Sequence, residues 1–149
     1  MPGLLKRDFF TRAQKKRLVE AIQQAEQGTT GEIRVYIEHH CPFPDPMQRA
    51  RKIFEAHEMF RTVHRNAVLI YVAVKDRKYA LFGDEGIHQK VGDSFWQQAA
   101  EAMLQHFKQK DLVKGLEASI HWIGQALKQH FPSQGENPNE LSDEILEGQ

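Results

Sequence analysis

The chain has 149 residues, with 20 basic and 20 acidic side chains and a single cysteine. This length fits one domain with a sizeable core. The balanced charge argues against a nucleic-acid binder, because such proteins draw much of their affinity from an excess of basic residues. One cysteine excludes an internal disulfide bond and fits a reducing compartment.

No membrane or targeting segment stands out in the sequence. The longest apolar run, Ala67–Val74, is far shorter than the ~20 residues that a membrane-spanning helix needs. The first residues contain no apolar stretch of the kind found in a signal peptide. We therefore expect a soluble, cytoplasmic protein without a membrane span.

The first third of the chain predicts a helix, a strand and a second helix. A capping box that begins at Thr11 starts a helix over about residues 12–27. Apolar and polar residues alternate over Glu32–Glu38, which is typical of a half-buried strand. After a proline-rich loop over residues 39–46, apolar residues recur at helical spacing over residues 50–60.

The middle of the chain predicts a buried β-hairpin. Ala67–Val74 is apolar without interruption, which indicates a strand covered on both faces. A short charged turn leads into Tyr79–Phe82, and a connection this short makes the two strands antiparallel. The second strand of the hairpin ends at the acidic, glycine-bounded segment Gly83–Gly86.

The last third predicts helices followed by a tail. Residues 87–91 suit a short helical turn, a helix capped by Asp93 or Ser94 follows, and residues 112–127 form another. From Pro132 onward the composition turns to Pro, Gly, Asn, Ser and acidic residues. We expect a domain over residues 1–131 and an acidic, flexible tail over residues 132–149. The alternative is that the tail docks on a basic surface or recruits a protein partner.

The predicted element order is α-β-α-β-β-α-α. A strand, a crossover helix and a strand make the first two strands parallel, with a right-handed connection. The third strand is then antiparallel to the second. The predicted fold is an α/β three-layer sandwich, with a small mixed sheet between helical layers.

Polar residues gather at one end of this predicted sheet. The parallel strands begin there at Glu32 and Asn66, and the antiparallel strand ends there at Asp84 and Glu85. Asp93, at the start of the next helix, is a further candidate. Carboxylate and amide oxygens are hard ligands, so the pattern predicts a site for Ca²⁺ or Mg²⁺ rather than zinc.

Two other interpretations remain open. In the first, Gly83–Gly86 is an ordinary turn and Glu32 pairs with Arg65. In the second, a zinc site lies at the opposite end of the sheet, although adjacent residues of an extended segment point in opposite directions. The candidate ligands of that second site are His39, His40, Cys41, Asp45 and Asp76.

Several separated motifs together resemble the TPM domain family over about residues 10–131. They are Gly31–Ile33 at the first strand, Asn66–Leu69 at the second, Gly83–Gly86 after the third, and Asp93. The chain looks most similar to the stand-alone soluble branch found in bacteria. The resemblance implies a Rossmann-like α/β/α sandwich and an ion site at Glu32, Asn66, Asp84 and Glu85.

The resemblance also implies candidate functions, since several TPM domains bind Ca²⁺ and some are credited with acid phosphatase activity. Our leading hypothesis is a divalent-cation-binding protein with a structural or interaction role. The second is a metal-assisted phosphatase acting on phosphomonoesters, with Asp84, Glu85, Arg65 and His64 in its site. The third is a metal-free interaction module that uses its acidic tail. Ala67, where the family often has glycine, is a departure that weakens the phosphatase hypothesis.

Overall fold

The computed structural model describes residues 9–133 and 141–148. Within them the order of elements agrees with the prediction, and a fourth strand is added at the end. The elements are α1 (Arg12–Glu26), β1 (Glu32–Glu38), α2 (Pro46–Ala56), β2 (Ala67–Ala73), β3 (Lys78–Gly83), α3 (Glu85–Val91), α4 (Asp93–Phe107), α5 (Leu112–His130) and β4 (Leu146–Glu147).

The strands form one mixed sheet in the order β3-β2-β1-β4. β1 and β2 are parallel, in a register that pairs Glu32 with Ala67 and Glu38 with Ala73. β3 is antiparallel to β2 and pairs Gly83 with Val68. All seven residues of β2 are buried, because this strand lies inside the sheet and is covered on both faces. The predicted strand directions are confirmed.

The two faces of the sheet pack against different helices. Val68, Ile70 and Val72 of β2 join a large apolar cluster with residues of α1, α4 and α5. The alternate residues Leu69 and Tyr71 face a smaller cluster built with α2. Side chains alternate between the faces of a strand, so this division produces the predicted three-layer α/β/α sandwich.

The C-terminal segment departs from the expectation of a flexible tail where the structure describes it. β4 runs parallel to β1, and the Gly148 N–H donates to the carbonyl of Ile37 at 2.6 Å. Glu147 also forms an ion pair with Lys15 of α1 at 2.8 Å. β4 has two residues, too few to show a hydrophobic period in the sequence. Residues 134–140 lie outside the described part, so the division at residue 131 remains a prediction.

Candidate cation site at the acidic rim

One end of the sheet holds the residues that the sequence placed there, although their side chains have different hydrogen-bond partners. β1 and β2 begin at this end, and β3 terminates beside them. The backbone N–H of Glu32 donates to the Asn66 carbonyl at 3.4 Å, and that of Asp84 donates to the Ala67 carbonyl at 2.9 Å. We call this region the acidic rim, and its members are Glu32, Arg65, Asn66, Asp84 and Glu85.

Asp84 is the best-connected carboxylate of the acidic rim. It caps the N-terminus of α3, where Oδ1 accepts the Glu85 N–H at 2.8 Å. Arg65 binds the same carboxylate with two atoms, Nε at 2.7 Å and Nη2 at 2.9 Å, and reaches Glu85 at 3.4 Å. The hydrogen bonds with Asp84 raise the pKa of Arg65. The interpretation that pairs Arg65 with Glu32 is therefore wrong, since the guanidinium lies on Asp84.

Gly86 lets the loop before β2 approach α3 closely. Its N–H donates to the Arg65 carbonyl at 2.8 Å, and a Cβ at this position would collide with the carbonyl oxygens of His64 and Arg65. Arg65 itself has a φ of 51°, in the left-handed region that non-glycine residues seldom adopt. The backbone at Arg65 is thus held by the first turn of α3, and this fixes the position from which the Arg65 side chain extends.

Glu32 and Asn66 are completely buried. Glu32 Oε1 accepts the backbone N–H of Leu141, so the C-terminal segment covers this carboxylate. Asn66 donates from Nδ2 to Thr30 Oγ1 at 3.0 Å. Its amide oxygen, Oδ1, has no hydrogen-bond partner among the described residues. A buried acceptor without a partner costs about 1–3 kcal/mol, so this atom requires an explanation.

Sequence reasoning missed a buried carboxyl group, Glu26, beside the rim. Glu26, at the end of α1, accepts the Ile33 N–H at 2.9 Å and is hydrogen-bonded to Asp143 of the C-terminal segment. Burial, the Asp143 bond and the charge of Glu32 raise the pKa of Glu26 to about 10, against the opposing effect of the Ile33 N–H. Glu26 follows Ile22 by four residues on the buried face of α1, a spacing that signals its burial.

Asp93 and His64 have other neighbours. Asp93 is the first residue of α4 and lies 3.6 Å from His88, with its side chain 92% exposed. The N-cap of that helix is Gly92, so the prediction of a cap at Asp93 or Ser94 is wrong. The His64 ring packs 6.3 Å from the ring of Phe131. No contact in residues 9–133 and 141–148 joins Asp93 to the acidic rim.

The opposite end of the sheet holds a polar cluster whose members are mutually paired. Glu38 accepts two bonds from Arg49, at 2.8 and 3.0 Å, and one from the hydroxyl of Tyr71. His40 and the Cys41 N–H both bind Asp76, at 2.8 and 2.7 Å.

The residues proposed for a zinc site at that end are also engaged locally. The Cys41 thiol donates to the Phe43 carbonyl, and Asp45 caps α2. Within the described chain, no group of three or more His, Cys, Asp or Glu residues is placed to hold one metal ion. Any ion at the acidic rim would therefore need the Asn66 amide oxygen or backbone carbonyls among its ligands.

Comparison with known proteins places the chain in a family. The model of the TPM domain matches residues 6–126. The chain belongs to the TPM domain family. It is similar to the BA42 protein of the psychrophilic bacterium Bizionia argentinensis, whose NMR structure superposes with a TM-score of 0.88 at 38% identity, covering 95% of this chain and 97% of BA42.

A more distant TPM-like fold is seen in the N-terminal domain of cg2496 from Corynebacterium glutamicum. Its TM-score is 0.66 at 16% identity, with 90% of this chain and 84% of that domain covered. At this identity the likeness shows the shared fold alone. None of the curated proteins matches the chain. Among the described helices, none is long and apolar enough to cross a membrane.

Proposed function

We propose that this TPM-domain protein binds a divalent cation, Ca²⁺ in preference to Mg²⁺, at the acidic rim. The ion stabilises the loops of the rim and helps them present a surface to a protein partner. The observation that carries the proposal is the fully buried Asn66 Oδ1 atom, which has no partner among the described residues. A bound cation supplies the missing partner for this oxygen.

The oxygen atoms of the rim suit calcium. Asn66 Oδ1, backbone carbonyls and one or two of the carboxylates of Glu32, Asp84 and Glu85 would hold the ion, because the three carboxylates are not placed to bind a single ion together. Ca²⁺ accepts six to eight such oxygens in flexible arrangements, whereas Mg²⁺ demands a near-ideal octahedron and retains several waters. A mixed set of carboxylates and an amide therefore favours Ca²⁺. Asp93 is not included, because its exposed side chain lies beside His88.

Arg65 is the competitor that a cation must displace. Its guanidinium occupies both oxygens of Asp84 and already neutralises that buried charge. The Arg65 side chain is 43% exposed, so it can turn toward solvent without being buried elsewhere. We expect this competition to weaken calcium binding in the wild-type protein and to make the site sensitive to ionic strength.

The test is a thermal melt of EDTA-treated protein with and without millimolar Ca²⁺ or Mg²⁺. An ion present at 100 times its dissociation constant adds ~2.7 kcal/mol to the free energy of unfolding. We expect a rise of several degrees with Ca²⁺, a smaller rise with Mg²⁺, and no calcium response in Asp84→Asn.

The matched control is Asp76→Asn, because Asp76 lies at the opposite end of the sheet and pairs with His40. This variant should keep the full calcium response of the wild type. A wild-type melting temperature that ignores Ca²⁺ would sink the proposal. Equal loss of response in Asp84→Asn and Asp76→Asn would show that the effect does not come from the acidic rim.

A metal-assisted phosphatase is the second candidate. The observation that favours it is the binding of both Asp84 oxygens by the Arg65 guanidinium. A guanidinium that binds two carboxylate oxygens is also suited to two phosphoryl oxygens. If a cation took Asp84, Arg65 would be released to stabilise charge on a phosphomonoester. The test is turnover of p-nitrophenyl phosphate with Ca²⁺ or Mg²⁺. Activity should vanish in both Asp84→Asn and Arg65→Gln, and persistence in either variant would contradict the hypothesis.

A further inference from the structure

A second candidate site lies at the other end of the sheet from the acidic rim. A cavity of about 610 Å³ opens between the end of β2, the β2–β3 turn and the loop that joins α4 to α5. Small-molecule sites in proteins typically have volumes of about 300–1,000 Å³. The apolar wall of this cavity includes Val72, Val74, Tyr79, Leu104, Phe107 and Leu112.

The charged residues lining this cavity are all basic. They are Arg77 from the β2–β3 turn, Lys78 at the start of β3, and Lys108 and Lys110 from the loop between α4 and α5. The whole chain has as many acidic as basic residues, so a cavity lined by four cations and no carboxylate is a local asymmetry. Lys78 donates to the Pro44 carbonyl at 3.2 Å. No salt bridge within the described residues involves any of the four.

The backbone at both loops is unusual in the same way. Arg77 has a φ of 55° and Lys110 a φ of 60°. Glycine adopts this left-handed conformation freely, whereas other residues held in it cost roughly 1–3 kcal/mol each. Arg77 and Lys110 thus lie one in each of the two loops that border the cavity.

A glycine also shapes the apolar wall. A Cβ at position 115, in the first turns of α5, would collide with the ring of Phe107. The missing side chain lets this ring, which lines the cavity, approach the backbone of α5 closely. The cavity wall therefore depends on close packing between α4 and α5, rather than on a mobile surface loop.

We propose that this cavity, which we call the basic cavity, binds a small amphipathic acid. Its hydrocarbon part packs against the apolar wall, and its single carboxylate lies among Arg77, Lys108 and Lys110, because the Lys78 ammonium is bound to the Pro44 carbonyl. The site is separate from the acidic rim and does not rest on cation binding there.

The neighbouring surface argues against an acidic peptide as the occupant. A groove continues from the basic cavity along β3, and Asp45 and Glu101 line it. An acidic peptide that added a strand to β3 would bring its charges against these two carboxylates. A short molecule with one anionic group can use Arg77, Lys108 and Lys110 and avoid both acids.

The test is a titration of ¹⁵N-labelled protein with sodium octanoate, followed by NMR. We expect saturable shifts at the backbone amides of Val74, Leu104 and Lys110. Octanol, which lacks the charge, should bind about tenfold more weakly, which corresponds to ~1.4 kcal/mol. Octylammonium should produce no saturable shift, because its charge is repelled by the lining cations.

Two kinds of variant make the test specific. The double variant Lys108→Glu/Lys110→Glu should lose octanoate binding, whereas Lys16→Glu, on the exposed face of α1, should bind as the wild type does. Leu104→Trp fills the cavity without changing its charge and should also abolish binding, with the remaining spectrum verifying the fold.

Three results would overturn the proposal. They are an octanoate titration without saturable shifts, equal binding of octylammonium, and unchanged binding in both the charge-reversal and the cavity-filling variants. Shifts that run along β3 with an acidic decapeptide, and are absent with octanoate, would assign the surface to a peptide instead.

Discussion

The two ends of the sheet treat buried polar groups in opposite ways. At one end, Glu38 receives two bonds from Arg49 and one from Tyr71, so both of its oxygens are satisfied by the protein. At the acidic rim, Asn66 Oδ1 is equally buried yet has no partner in the described chain. The hydrogen bonds of the Glu38 cluster are complete without a ligand. At the acidic rim, one buried acceptor is available to a ligand.

This contrast separates a structural cluster from a candidate binding site. Strand β1 carries a glutamate at each end, Glu32 and Glu38, so residue type alone does not distinguish the two ends. The difference lies in whether hydrogen-bond capacity is exhausted inside the protein. The acidic rim lies where the parallel strands begin, whereas the basic cavity lies at the carboxyl end of β2, the end where ligands of α/β sheets usually bind.

The largest expected effect comes from breaking the complete cluster. Glu38→Ala should lower the free energy of unfolding by about 3 kcal/mol, because it leaves the Arg49 cation without its partner in a mostly buried position. Tyr71→Phe removes one hydrogen bond and should cost ~1 kcal/mol. Urea denaturation measures both. If the two variants cost the same, the ion pair at this end would not be the dominant contribution.

The next largest effect on stability comes from the C-terminal segment, which covers Glu32 of the acidic rim. Leu141→Pro removes the N–H that Glu32 accepts, and should cost about 1–3 kcal/mol because the buried carboxylate loses its donor. Leu141→Ala keeps the N–H and serves as the control for lost packing. Thermal melts in EDTA compare the two, and equal melting temperatures would show that the hydrogen bond contributes nothing.

The pH dependence of stability should report Glu26. Its pKa is raised from 4.5 in the unfolded chain to about 10 in the folded protein, so the folded state holds the proton more tightly. The stabilisation from this proton is complete below pH 4.5 and is lost as the pH rises toward 10. Glu26→Gln should therefore flatten the decline in melting temperature between pH 6 and pH 9, a window inside the range of about 4.5–10. An identical decline in the variant would assign the pH dependence to another group.

The smallest and sharpest effect is at Arg65. Arg65→Gln should melt at a lower temperature than the wild type in EDTA, because Asp84 loses its counter-ion. With Ca²⁺ the variant should show a larger rise than the wild type, since the competing guanidinium is gone. Arg61→Gln, which removes a nearby exposed arginine paired with Glu58, is the control. A smaller calcium response in Arg65→Gln than in the wild type would contradict the competition.

The fold could be predicted largely from the sequence, and the site only in outline. The apolar run of β2, with a crossover helix before it and a tight turn after it, determines the strand directions and places Glu32, Asn66 and Asp84 at one end. Which carboxylate Arg65 binds depends on its left-handed backbone, which no pattern of residue types reveals.

The sequence allowed the C-terminal segment to dock only as an alternative, and it did not reveal the contacts that the segment makes. β4 and the bonds from Leu141 to Glu32 and from Asp143 to Glu26 join residues more than a hundred positions apart. The acidic composition around them is typical of a solvated tail. One of these contacts is the hydrogen bond between Asp143 and the buried Glu26, which becomes visible only in three dimensions.

The most direct test of cation binding at the acidic rim is an NMR titration of EDTA-treated, ¹⁵N-labelled protein with Ca²⁺, observing the side-chain resonances of Asn66 Nδ2 and Arg65 Nε. We predict that both shift with one saturable binding curve, because Ca²⁺ takes the Asn66 oxygen and releases Arg65 from Asp84. Resonances of Arg49 Nε, at the complete cluster, should stay fixed. If Asn66 and Arg65 remain unmoved at millimolar Ca²⁺, the acidic rim is a structural cluster and the proposed cation site is wrong.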